Sequence, residues 1–251
     1  MKKSRFDLIA ASYEEAISRC PSARTDERWL LEKLQLEPSD TLLEFTAGSG
    51  YMTLMLAKKA GKVVAQDISS AMLELSKNKA KKEGLSNIVY YHEENPDWPK
   101  LKPNSFDKAV CLGGFHHIKD QVRAVQNVHR VLKRGGILVI GDFADCSQVQ
   151  IYFDEVVHKH TATGHKGLFL TTSRMINIGR ICEFTEMSSE KIDVPFVFSS
   201  EEEIGLFYQL VHDLKQTREE ALEDIKRYMG IKEEGDQLVV PMDYVYAFYR
   251  K

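Results

Sequence analysis

Residues 42–50 read LLEFTAGSG: an apolar run, an acid at Glu44, then a loop of small residues holding Gly48 and Gly50. A strand that ends in a glycine loop and feeds a helix brings backbone N–H groups close to a ligand. The neighbouring sequence continues that pattern. TLLEFT (41–46) is β-rich, YMTLMLAKKA (51–60) is helical with a basic last turn, and GKVVAQD (61–67) is a short apolar strand ending in an acid. SSAMLELSKNKAKKEG (69–84) opens on a serine N-cap, places Met72, Leu73 and Leu75 at apolar positions and closes at a glycine, before the strand NIVYYH. SFDKAVCLGG (105–114) reads as a fourth strand opening into a glycine loop. DQVRAVQNVHRVLKRGG (120–136) is a helix with Val122, Val125, Val128, Val131 and Leu132 on one face, and ILVIGDF is a fifth strand. Five buried-looking strands alternating with helices imply a doubly wound parallel sheet.

Composition narrows the function classes. The chain has 251 residues, 43% hydrophobic and 28% charged, with net charge −3. That suits one globular unit and gives no electrostatic footprint for a nucleic-acid backbone, so small-molecule or protein substrates are expected. Cys20, Cys111, Cys146 and Cys182 are widely spaced without a C-x-x-C pair, which suggests neither a zinc site nor a disulfide framework but reduced thiols in a cytoplasmic protein. The basic start MKKSRFDLIAASYEEAI is interrupted by Glu14 and Glu15 before any long apolar stretch, so no signal peptide, anchor or membrane association is expected.

After Phe143 the alternation loosens. QVQIYFDEVVHKH and TTSRMINIGRICEF look helical, FTEMSSEKIDVPFVF extended, and SSEEEIGLFYQLVHDL with TREEALEDIKRYMG like a helical pair. QLVVPMDYVYAFYRK reads as a last strand, with Pro241 fitting an edge or an irregular beginning. The expected organisation is a single domain over 1–251: an N-terminal helical lid (1–35), a ligand-binding core (36–145), a lid region with the inserted helical pair (146–235) and the last strand (236–251).

In open α/β sheets ligands bind at the carboxyl ends of the strands, which here are Thr46–Gly50, Asp67, Glu93–Asn95, Leu112–His117 and Asp142. The loop runs G-S-G-Y-M-T and lacks the third glycine of a dinucleotide fingerprint, which disfavours NAD, and no phosphate-binding P-loop is present.

LLEFTAGSG, VVAQDISSAML, NSFDKAVCLGGFHHIKD and VHRVLKRGGILVIGDF, in this order and spacing, resemble the successive core motifs of class I S-adenosylmethionine-dependent methyltransferases. The resemblance covers roughly residues 1–145, and Thr46 departs from it by standing at the loop's first glycine position. It implies a Rossmann-like, mostly parallel seven-stranded sheet with an antiparallel last strand and a helical lid, with S-adenosyl-L-methionine as cofactor. It also implies roles for particular residues. Asp67 would accept from both ribose hydroxyls, and Ile68 and Met72 would cover the adenine. Glu94, or Glu93 in a shifted register, would accept from the adenine amino group, with Asn95 serving the ring. Glu44 and the backbone of Thr46, Ala47 and Gly48, with Gly50 keeping the turn feasible, would hold the methionine amino group. Leu112 and Gly113 would floor the sulfonium, and Tyr13 would close over the methionine end.

Each role has a plainer rival: Asp67 as a helix cap, Glu93 and Glu94 as solvated loop acids, Tyr13 as packing, Arg24 as surface rather than a partner for an acid near the cofactor. His116, His117 and His165 are candidates for a general base or acceptor contact. HKHTATGH invites a metal reading of His158, His160 and His165, but lacks a carboxylate at helical spacing, so no metal is expected there. Phe207, Tyr208, Leu210, Val211 and Leu214 read as core of the helical pair, or as a pocket wall where they face the strand ends. The expected activity is methyl transfer to a nucleophile of a small-molecule acceptor. Its rivals are a non-methylating adenosylmethionine-binding protein of the same fold, a tRNA or protein methyltransferase, and a nicotinamide oxidoreductase.

Overall fold

The computed structural model describes residues 4–20, 27–95 and 97–251; Arg24 lies outside them. Seven strands form the main sheet in the order β3-β2-β1-β4-β5-β10-β6. These are β1 (Thr41–Phe45), β2 (Lys62–Asp67), β3 (Ile88–His92), β4 (Phe106–Leu112), β5 (Leu132–Phe143), β6 (Glu186–Asp193) and β10 (Asp243–Arg250). β1 to β5 are mutually parallel, and β10 runs antiparallel between β5 and β6. The Rossmann-like sheet with an antiparallel last strand is therefore present as expected.

Alternation along each strand sends neighbouring side chains to opposite faces, and both faces are covered. Leu42, Val63, Val110, Ile137, Val139 and Tyr246 pack on one side with α3 (Tyr51–Ala57) and α2 (Glu27–Leu34). Leu43, Val64, Ala109, Leu138, Ile140 and Ala247 pack on the other with α5 (Gln121–Val131) and α8 (Thr172–Ile181). Each fully buried Leu, Ile or Val contributes roughly 1.5–3 kcal/mol, so continuous apolar strands such as ILVI hold this architecture against chain entropy. β6 is the edge, and its Glu186, Glu190 and Lys191 are the kind of charges that block edge-to-edge pairing.

Three boundaries differ from expectation. The helix expected to run to Gly136 stops at Val131, because LKRGG is already strand: Leu132 pairs with Phe106, and Gly135 takes φ +78° at an irregularity in β5. The helix expected over 51–60 ends at Ala57. QLVVPMDYVYAFYRK is two strands, since Pro241 lacks the N–H a ladder needs. β9 (Gln237–Val240) joins β7 (Phe196–Phe198) and β8 (Lys232–Glu234) in a small sheet, and only β10 enters the main one.

α6 (Gln148–Tyr152), a π turn over Phe153–Val157 and α7 (His158–His160) run on as one helical segment. α9 (Glu201–His212) and α10 (Arg218–Tyr228) form the expected helical pair, burying Phe207 and Tyr208. α9 also packs on α1 (Arg5–Arg19), which crosses the carboxyl ends of β1 and β2 by way of α4 (Ser70–Lys82). Among the described residues no helix is long and apolar enough to cross a membrane.

Gly50 caps α3 at φ +88°, and a Cβ there would lie 2.0 Å from Ser76 Oγ and 3.0 Å from Ser76 Cα on α4. Gly50→Ala should cost about 2–4 kcal/mol through backbone strain and overpacking, read as a lowered urea midpoint with unchanged slope. An unchanged midpoint would mean that the loop does not abut α4.

Candidate active site

β1 delivers Glu44 and the turn Thr46–Gly50 to the sheet's switch point. Gly48 (φ +55°) and Gly50 supply left-handed backbone at no steric cost, and the space that a Cβ on Gly48 would enter is open to 4 Å. Thr46 also adopts a positive φ, +60°, which costs a β-branched residue roughly 1–3 kcal/mol. Its side chain is accommodated by small neighbours: Oγ1 lies 3.0 Å from Cys111 Sγ, and a Cβ on Gly114 would sit 2.5 Å from it. The departure at Thr46 is thus matched by the glycine loop after β4.

Glu44 is buried, and its Oε2 has no hydrogen-bond partner. Burial, reinforced by Asp67, pushes its pKa up to about 8. Asp67, at the end of β2, is buried too. Its Oδ2 accepts from Gly48 N–H and its Oδ1 from Ser69 N–H, both at 2.8 Å, so it ties the glycine loop to the start of α4, while burial raises its pKa. The cap role belongs to Ser69, whose Oγ accepts from Met72 N–H.

The remaining expected cofactor residues differ in burial and partners. Ala47 is buried, and its N–H donates to the Gln66 carbonyl. Ile68 is exposed, whereas Met72 is buried beneath Ile9 and Ala10 of α1, with Tyr13 against the same cluster. Glu93 is turned toward its own loop, accepting from Asn95 N–H and Tyr91 Oη–H, and Asn95 Oδ1 accepts from Asp97 N–H. Glu94 is exposed. Leu112 ends β4, and Gly113, at φ +68°, donates its N–H to the Gly141 carbonyl.

α1 is pinned over this edge by polar contacts. Asp7 Oδ1 accepts from Ser69 Oγ–H (2.7 Å) and Ala71 N–H (3.1 Å), Glu14 pairs with Lys79 of α4, and Arg5 donates to the Gly164 carbonyl at 2.7 Å. Sequence reasoning did not single out Arg5 and Asp7; the only local signal was the capping box formed by Ser4 and Asp7.

On the other side of β4 the three candidate histidines come together. Asp142, at the end of β5, is fully buried. It accepts from His116 N–H and from His116 Nδ1–H, each at 2.8 Å, and from Phe143 N–H. That assigns the His116 tautomer and turns its Nε2 toward His165 Nε2, 3.3 Å away. His117 lies tilted against His116 with ring centroids 3.8 Å apart and meets Phe6 of α1 edge-on. Phe143, Phe153 and Phe169 surround the group, and His212 of the helical pair contacts Phe153. Burial, then the neighbouring imidazoles, holds His117 well below the ordinary histidine range and His165 down to about 2. His158 is spent on the His165 backbone, and His160 is not part of the cluster. A surface cleft lined by Lys119, Asp120, Arg174 and Asn177 touches none of these groups.

Comparison with known proteins agrees with this geometry. A family model described as a methyltransferase domain matches residues 43–140. The ubiquinone/menaquinone biosynthesis C-methyltransferase UbiE of Hydrogenovibrio crunogenus is 27% identical over 151 residues, covering 58% of this chain and 59% of that enzyme, so the match spans under two thirds of the relative. Among solved structures, YcgJ of Bacillus subtilis superposes with TM-score 0.68 at 16% identity over 89% of this chain and 97% of its own. The [4+2]-cyclase SpnF superposes with TM-score 0.68 at 17% identity over 98% and 94%. These two share the fold. Residues 43–140, which hold the glycine loop at the switch point, thus carry a methyltransferase domain on a Rossmann-like sheet.

Proposed function

We propose that the protein transfers a methyl group from S-adenosyl-L-methionine to a nucleophile on a small-molecule acceptor bound at the histidine end of the site. The observation that carries this reading is the unpartnered, buried Glu44 Oε2 on the strand that leads into the glycine loop. A buried carboxylate oxygen without a donor is costly, and the ammonium of a methionine moiety is a donor of the right charge. The residues fit the cofactor elsewhere too. Asp67 spends one lone pair of each oxygen on the loop and keeps the other for ribose hydroxyls. Ile68 offers an exposed apolar face for adenine, with Met72 behind it and Glu93, Glu94 and Asn95 at its rim. The backbone carbonyls of Thr46, Ala47 and Gly48 would join Glu44 on the methionine amino group, with Gly50 keeping the turn feasible, Leu112 and Gly113 would floor the sulfonium, and Tyr13 would close over the methionine end.

When bound, the sulfonium supplies an electrophilic methyl group. The protein's contribution is to hold the acceptor in line and exclude water, worth up to ~7–11 kcal/mol of barrier when orientation is good. The aromatic ring of Phe143, Phe153 and Phe169 under α1 suits a small apolar acceptor better than a macromolecule. His117, His116 and His165 carry lone pairs where an acceptor proton would leave, and an acceptor already ionised needs no base. The relative's name, a quinone-pathway C-methyltransferase, is consistent with such an acceptor without fixing it. A second reading, cofactor binding without methyl transfer, is favoured by the strained Thr46 and by a cyclase sharing the fold.

Calorimetry with adenosylmethionine, adenosylhomocysteine and NADH should give binding of the first two only; NADH binding alone would select the oxidoreductase. Asp67→Ala should weaken adenosylmethionine by about 1.5–3 kcal/mol, more than tenfold, in a folded protein; unchanged affinity removes Asp67 from the ribose site. Thr46→Gly should keep or improve binding, and a folded variant that loses it would support the second reading.

Glu44 gives a pH signature. Its raised pKa leaves it largely protonated at neutral pH, and an ammonium partner favours the carboxylate, so cofactor binding should release a proton there. Affinity should therefore climb as pH rises to about 8 and level off above it. Buffers of different ionisation heat report the proton directly. Glu44→Gln should bind more weakly with a flat profile; a wild-type profile that is already flat would detach Glu44 from the ammonium.

A further inference from the structure

His116, His117 and His165 each place a ring nitrogen within 4.8 Å of the other two. We propose that this cluster is a metal site: three imidazoles binding one divalent transition ion, zinc by preference, with a fourth position open toward the acceptor.

Spacing is the first support. A tetrahedral ion with metal–nitrogen bonds of about 2.0–2.1 Å requires ligand nitrogens roughly 3.3 Å apart, and His116 Nε2 and His165 Nε2 stand 3.3 Å apart. The second support is orientation. Asp142 Oδ1 accepts from His116 Nδ1–H and its Oδ2 from the same residue's N–H. A buried carboxylate thereby fixes the ring and leaves Nε2 as a bare lone pair, the arrangement that orients histidine on zinc. The third is the surroundings of the cluster. An apolar shell of Phe143, Phe153 and Phe169 would keep competing water away. Arg5 lies close enough for its charge to act on His117 and His165 and would oppose a dication, but Asp142 and Asp213 offset it, and its guanidinium is suited to an anionic atom on the open position.

The spacing of HKHTATGH pointed to His158, His160 and His165 and argued against a metal; the fold selects a different trio, only one of them from that run. For the methyl-transfer reading, on which this role alone depends, the ion would take an acceptor thiol or hydroxyl as its fourth ligand. The X–H proton would pass to solvent, the oxygen or sulfur would keep its electron pair, and that pair would form the new bond to the methyl carbon as the methyl–sulfonium bond breaks and its electrons stay on sulfur, releasing adenosylhomocysteine.

The test uses untagged full-length protein, chelator-treated and titrated with Co2+ and then Zn2+. One equivalent of Co2+ should produce the intense visible bands of a tetrahedral site, discharged by one equivalent of Zn2+. His117→Ala and His165→Ala should each weaken binding at least about a hundredfold, and Asp142→Asn about ten- to a hundredfold, while His160→Ala binds as wild type. Circular dichroism and adenosylmethionine calorimetry on the same preparations establish that each variant is folded and loads cofactor, so failure of metal binding is separate from failure of the methyl-transfer reading. Absence of a tetrahedral band in folded wild type, or a band that survives in the His117→Ala/His165→Ala double variant, overturns the site.

Discussion

The site depends on one constraint, the reversal of strand order between β1 and β4. After β1 the chain turns to α3 on one face of the sheet, and after β4 it turns to α5 on the other. The two loops diverge from adjacent strand ends and leave a crevice that no side chain of the sheet can fill. Everything with chemical potential in this chain is arranged around that crevice: the acid and glycine loop on the β1 side, the histidines on the β4 side, with Thr46 and Gly114 interlocked where the two loops touch. A threonine at a glycine position is tolerable there because the partner loop gives up its side chain.

Three strand-end carboxylates are buried around the crevice, and their hydrogen bonds divide the labour. Asp142 receives three donors and positions His116. Asp67 receives two and holds the loop to α4. Glu44 leaves an oxygen with none, and burial keeps it largely uncharged at neutral pH. Breaking a satisfied buried acid leaves uncompensated donors, whereas an unsatisfied one gains by meeting a cation. Glu44 is set apart from the other two by this count rather than by position, since all three lie at carboxyl ends of strands.

Periodicity and turn chemistry made the sheet legible in the sequence. Continuous apolar runs such as ILVI could only be strands covered on both faces, and Ser69 and Gly84 bracketed α4 within a residue or two. Failures of boundary arose where the backbone changed partners without changing hydropathy: LKRGG looks like a helix end but pairs with Phe106, and QLVV is as β-prone as YVYAF although Pro241 sends it to another sheet. The strand-end acids were legible because the fold fixes where strand ends lie. The three histidines of the cluster were candidates from the sequence, but their contact with one another was not legible, because His165 meets His116 across 49 residues of chain, and the run HKHTATGH groups His165 with His158, which is consumed by a backbone contact. Asp142 was visible as a strand end, but nothing in the sequence tied it to the tautomer of His116.

α1 binds the two halves of the crevice into one unit. Its first turn carries Asp7, which holds Ser69 and Ala71 beside the cofactor side, and Arg5, which holds Gly164 one residue before His165 on the other. Phe6, between them, covers His117. Residues two apart on a helix point in different directions, so one turn can reach both sides at once. A rigid helix cannot release one of these contacts while keeping the other in place, because tilting it enough to free Ser69 also moves Arg5 from the Gly164 carbonyl. The first turn of α1 thus joins the glycine-loop side of the strand ends to the histidine side through Asp7, Phe6 and Arg5.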